Sequence, residues 1–111
     1  MGLDCLWRDN NNEPASVGKE FNVCGGMCSD NGTTSFRGKV YYELVLQASG
    51  ISLYQDIIDN TTCQKILESL EKFDINDYKN NWKPVEKYEF EDLKEMFRVH
   101  IEKGHHLVGW W

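Results

Sequence analysis

Residue types capable of chemistry concentrate in one run of this chain, Cys24-Gly25-Gly26-Met27-Cys28-Ser29-Asp30-Asn31-Gly32-Thr33-Thr34-Ser35-Phe36-Arg37-Gly38-Lys39. Glycines let a backbone approach a ligand closely, and the first amides of a following helix are donors without intrahelical partners. Ser35, Arg37 and Lys39 stand where that helix should begin, so a phosphate or carboxylate could be held there. The order is neither the Gly-x-x-x-x-Gly-Lys of a phosphate loop nor Gly-x-Gly-x-x-Gly. The plainer reading is a turn followed by a capping residue at Thr34 or Ser35.

The same run raises two further possibilities. Cys24 and Cys28 are close to metal-ligand spacing, and a zinc site could be completed by His105 and His106 if strand pairing brought them near. Cys5, Cys63 and His100 are the other available donors, but Cys63 reads as a small core residue of a helix, and no second Cys or His pair with ligand spacing exists. Zinc is thus the one cofactor to consider. Cys24 or Cys28 could also act as a nucleophile with His105 or His106 as base, although no nucleophile motif surrounds them. His100 falls on an apolar helix stripe and reads as a partly buried packing residue. Glu86/Glu89 and Glu91/Asp92 read as the wetted start of that helix.

Two tryptophan sites suggest association instead of catalysis. Trp82 lies in the polar stretch Asn80-Asn81-Trp82-Lys83-Pro84, and Trp110-Trp111 close the chain. Tryptophan dominates interface hot spots, so Trp82 and Trp111 are candidate anchors for a partner protein. Folded back as lids they would only seal the core. On a strand, Trp110 and Trp111 point to opposite faces, so one is expected inside and the other available.

Charge narrows the partners. The 111 residues carry a net charge of −6 with both signs mixed along the chain. Clustered Lys and Arg, which a nucleic-acid backbone requires, are absent. The apolar run Val40 to Ala48 is interrupted by Glu43 and Gln47 and is too short to span a bilayer. The opening residues lack the order of a secretory signal, and Leu6 argues against myristoylation at Gly2. The expectation is a cytoplasmic protein with reduced thiols, binding neither nucleic acid nor membrane.

The elements that must position these residues follow from periodicity. Leu3, Cys5 and Trp7 alternate as one face of a strand, and His105 to Trp111 reads as a last strand beside it. Phe21 to Cys24 reads as a second strand. Val40, Tyr41, Leu44, Val45 and Ala48 form a helical stripe over Phe36 to Ser49, with Gly50 as its stop. Ile51 to Ile58 is ambiguous between strand and helical turn. A second helix is predicted from Thr61, capped by Thr61 and Gln64, with Ile66, Leu67, Leu70 and Phe73 inward. Asp74 to Lys87 reads as an irregular connection. A third helix is predicted from Phe90 to Lys103, with Phe90, Leu93, Met96, Phe97 and Ile101 inward and Gly104 ending it. The result is one α+β domain over residues 1–111. It has a small mostly antiparallel sheet, terminal strands adjacent, and about three helices on one face.

Four stretches, Met1-Gly2-Leu3-Asp4, Cys24-Gly25-Gly26-Met27, Ser35-Phe36-Arg37-Gly38-Lys39-Val40-Tyr41 and Ser52-Leu53-Tyr54-Gln55, together resemble a pattern in small microbial proteins that have no known activity. The resemblance covers the chain to about residue 56 and implies no substrate and no catalytic residue. The function expected from the residues is a small protein-binding or regulatory module without catalysis. The alternative is an anion or zinc site at Cys24 to Lys39, with or without catalysis; no oligomeric state is legible.

Overall fold

In the computed structural model, which describes residues 2–26, 31–79 and 84–111, alternation at the start of the chain becomes strand β1, Asp4–Arg8. Leu3, Cys5 and Trp7 are fully buried on its inner face, as their spacing predicts, and Leu6 on the other face is also covered. The last strand, β4 (His106–Trp110), pairs antiparallel with β1 from Asp4 opposite Trp110 to Arg8 opposite His106. Both outer strands are two residues long: β2 (Ser35–Phe36) beside β1 and β3 (Ile57–Ile58) beside β4. The sheet is antiparallel throughout, in the order β2-β1-β4-β3.

Three helices complete the fold: α1 (Gly38–Ser49), α2 (Asn60–Lys72) and α3 (Lys87–Glu102). The α1 stripe is inward as predicted, with Val40, Tyr41, Leu44 and Val45 buried and Ala48 partly so. Gly50 ends it at φ 74°, its N–H donating to the Leu46 carbonyl 2.8 Å away. Gly104 ends α3 in the same left-handed conformation, φ 79°. A side chain there would strain the backbone. Ion pairs Glu91–Lys94 and Glu95–Arg98 run along the wet face of α3, both at 2.9 Å. Among the described residues no helix is long and apolar enough to cross a membrane.

Four local expectations are corrected. Phe21 to Cys24 is not a strand, although Phe21 and Val23 are buried. Its amides are claimed elsewhere: Asn22 N–H by the Asp92 carboxylate (2.7 Å), Cys24 N–H by the Tyr41 hydroxyl (2.8 Å) and Phe21 N–H by the Asn31 carbonyl (2.8 Å). With its donors spent on remote groups, the segment keeps only an isolated bridge, Gly25 to Phe36. Ser35 is no cap; it is a fully buried residue of β2, and α1 begins after Arg37 with no side-chain cap. The Thr61–Gln64 capping box does not form. Asp59 caps α2 instead, accepting from Thr62 N–H at 2.8 Å. Ile58 in β3 fixes where the chain turns into the helix, and Asp59 is the next residue. Helix α3 also starts earlier than predicted, at Lys87, after a short 3₁₀ turn at Ile75–Asp77.

The Thr62 bonds hold the Asp59 carboxyl below the usual range for aspartate. An Asp59→Ala variant is expected to be less stable, because the Thr62 N–H loses its cap. The difference should be largest near neutral pH and shrink as Asp59 is protonated, below the ordinary aspartate range. Urea denaturation of both proteins at pH 7 and at successively lower pH follows it.

Candidate interaction site at the aromatic edge

The most exposed large apolar groups among the described residues include Ile57, Trp110 and Trp111, which are 62%, 54% and 52% exposed. The backbone explains their exposure. β3 pairs only with Val108 and Leu107, so β4 runs beyond its neighbour on that side. Past that point Gly109 N–H reaches the Asp56 carbonyl at 3.3 Å, and the last residues of β4 are flanked by β1 alone. Both terminal tryptophans therefore stay half exposed. That corrects the expectation that one of them would be buried.

Asp56, Gly109, Trp110 and Trp111 line an open cleft of ≈ 290 Å³ at this corner. Trp111 is held from behind by Tyr54, edge to face at 5.6 Å, and Tyr54 in turn by Tyr42 at 4.8 Å. Each such pair adds about 0.5–1.5 kcal/mol beyond area burial and restricts the rings. Gly109 is required here. A Cβ on it would lie 2.5 Å from the Gln55 carbonyl and 3.3 Å from the Trp111 ring. The 53–56 loop can cross β4 closely only because Gly109 has no side chain.

The residues singled out from the sequence fall into separate places. Arg37 faces Asp4 at 3.8 Å, and the Lys39 N–H at the start of α1 donates to the Leu3 carbonyl at 3.0 Å. Ser35, the third predicted anion ligand, is fully buried in β2. Cys24 adjoins Gly25, which bridges Phe36; Phe36 pairs with Cys5, and Cys5 with Gly109. Three strand spacings, about 14 Å, thus separate the Cys24 segment from the strand that carries His106. His106 is half-buried, opposite Arg8. Among the described residues no three His, Cys, Asp or Glu side chains are grouped to hold a metal ion. Cys28 and Trp82 lie outside the described residues.

His100 and His105 meet in the core. Their Nδ1 atoms are 2.8 Å apart, and His100 Nε2 is 2.9 Å from the Gly32 carbonyl. A carbonyl only accepts, so His100 carries its proton on Nε2 and His105 donates from Nδ1. His100 is fully buried rather than partly so, and its ring stacks on Trp7 at 4.3 Å with 5° between planes. Its role is packing.

Glu89 is the residue that sequence reasoning missed. It is not a wetted start-of-helix carboxylate; it is 8% exposed and accepts a hydrogen bond from the Tyr41 hydroxyl. Burial and that bond push the Tyr41 phenol well above its ordinary range. The signal was present in the helix phase, since Glu89, Leu93, Met96 and His100 continue one inward stripe at spacings of four and three. Comparison with protein-family models, with curated proteins and with solved structures finds no significant match for this chain.

Proposed function

We propose that this protein acts by binding another protein, not by catalysis, and that it does so at the aromatic corner of its sheet. The observation that carries the reading is the cleft lined by Asp56, Gly109 and two half-exposed tryptophans, beside an edge strand whose Ile57 is 62% exposed. Rigid, partly covered aromatics lose little entropy on binding, and they are the residues that dominate hot spots. An open sheet edge offers backbone groups to an extended strand of a partner.

The occupant we assign is an extended, basic segment of another protein. The chain has a net charge of −6, and an acidic residue and two tryptophans line the cleft, a combination that favours Lys or Arg over acidic side chains. Anion and zinc readings of Cys24 to Lys39 have less support, because the Lys39 and Val40 amides and Arg37 already have partners within the protein and no three metal-ligating side chains are grouped among the described residues. A cytoplasmic location fits the buried thiols of Cys5 and Cys63.

Selection from a random peptide display library tests this directly. Enriched peptides should be extended in composition and basic, and in NMR titration they should shift Ile57, Gly109 and the terminal indole N–H groups. A Trp110→Ala/Trp111→Ala variant should bind them at least about 30-fold more weakly, the loss of about 2 kcal/mol that defines a hot spot. Since both rings are half exposed, the variant should still fold. Acidic winners, shifts elsewhere, or unchanged affinity would each refute the proposal.

A further inference from the structure

At the opposite edge of the sheet, beyond β2, an open cleft of ≈ 250 Å³ is lined by Asn22, Val23, Cys24, Tyr88 and Glu89. We infer that this cleft binds a small organic cation, an alkylammonium group, through the Glu89 carboxylate and the Tyr88 ring.

Glu89 is more than nine-tenths buried, yet no Lys, Arg or His among the described residues forms an ion pair with it. A buried carboxylate is costly unless a cation and hydrogen bonds offset its lost hydration. The Tyr41 hydroxyl engages one oxygen, and the first turn of α3 contributes the favourable end of a helix dipole. Neither supplies a positive charge. Glu89 lines the cleft, so a cation entering there meets an acidic residue that no cationic side chain among the described residues pairs.

The surroundings choose among ligands. Asp92, which takes both the backbone and side-chain N–H of Asn22 at 2.7 and 2.8 Å, adds a second negative charge beside the opening. Anions are therefore disfavoured, the reverse of what Arg37 and Lys39 suggest from sequence. A divalent metal would need several oxygen ligands, and the described residues offer no such group. Tyr88, 62% exposed, gives an aromatic wall, and Val23 an apolar one. Carboxylate, aromatic face and apolar floor together match an ammonium on a short alkyl chain. The volume lies below the roughly 300–1,000 Å³ typical of drug-sized sites, which suits a ligand of that size.

Position is fixed in advance. Tyr41 hydroxyl donates to Glu89 and accepts Cys24 N–H at 2.8 Å, tying the carboxylate to the segment across the cleft. Such preorganisation lowers the ordering cost of binding.

Titration of ¹⁵N-labelled protein with n-butylammonium chloride at constant ionic strength, beside neutral n-butanol, tests the inference. Saturable shifts are expected at the amides of Val23, Cys24 and Glu89 with the ammonium and not with the alcohol. Glu89→Gln keeps an acceptor for Tyr41 but removes the charge, and should weaken binding at least about tenfold. Tyr88→Ala, at an exposed position, should weaken it severalfold without touching the core. Shifts that rise without saturating, equal response to butanol, or unchanged affinity in both variants would overturn the assignment.

Discussion

Replacing Trp7 by alanine is expected to lower stability by about 3–5 kcal/mol, the range for removing a buried aromatic. Trp7 is fully buried at the centre of the aromatic core. It stacks on His100, meets Phe97 edge to face at 5.2 Å and lies 6.2 Å from Phe36. One ring thus joins β1, β2 and α3. At about 4–8 °C per kcal/mol for a chain near this size, the midpoint should fall by more than about 10 °C. The Trp7 indole N–H has no acceptor among the described residues. Trp7→Phe should therefore cost clearly less than Trp7→Ala, because it removes an unsatisfied donor along with part of the ring. Urea unfolding of the three proteins decides the matter. A loss below about 1 kcal/mol for Trp7→Ala would mean that this ring does not organise the core.

The second large effect is acid destabilisation centred on the histidine pair. His105 is 7% exposed, and burial, with Lys103 and His106 nearby, lowers its pKa despite the opposing pull of Asp9. Between the lowered folded value and the ordinary 6.5 of the unfolded chain, the unfolded state binds the extra proton. Stability is full above pH 6.5 and is lost as pH falls through the folded value. The midpoint in urea should be level from pH 8 to 7 and decline steadily toward pH 5. Asp59, with its pKa lowered below 3.8, contributes its own loss only further down. His105→Phe should flatten the slope between pH 7 and 5. A midpoint that is already level across that interval in the unsubstituted protein would contradict the account.

The helices were legible because their burial is a matter of local phase. Val40, Tyr41, Leu44 and Val45 form a stripe whatever packs against them, and Gly50 and Gly104 stop their helices through backbone conformation alone. The pairing of β1 with β4 was legible for a similar reason, since apolar alternation at both ends had to find cover. Phe21 to Cys24 misled because alternation reports which side chains are inside, not where the amides go. Those amides go to Asp92 and Tyr41, groups far along the chain. The start of α2 was placed at Thr61, two residues late, because Asp59, Asn60, Thr61 and Thr62 can all cap and only β3 settles which one does. At the candidate sites, Trp111 was identified from its type and position, while its company of Asp56, Tyr54 and Gly109 depended on tertiary placement. Glu89 was overlooked because neighbouring Glu86, Glu91 and Asp92 made it look like one more solvated charge.

The central pair of the sheet joins residues far apart along the chain, Cys5 beside Gly109. On the ribosome, β1 must wait for its principal neighbour while the intervening residues are made, about 5–20 s at common elongation rates of about 5–20 residues per second. Helices α1 and α2 can form and touch in that interval, but Trp7 has no finished pocket until β4 has emerged. A truncated product lacking β4 would expose that indole and the open flank of β1, which makes it a natural client for chaperones and a hazard for aggregation.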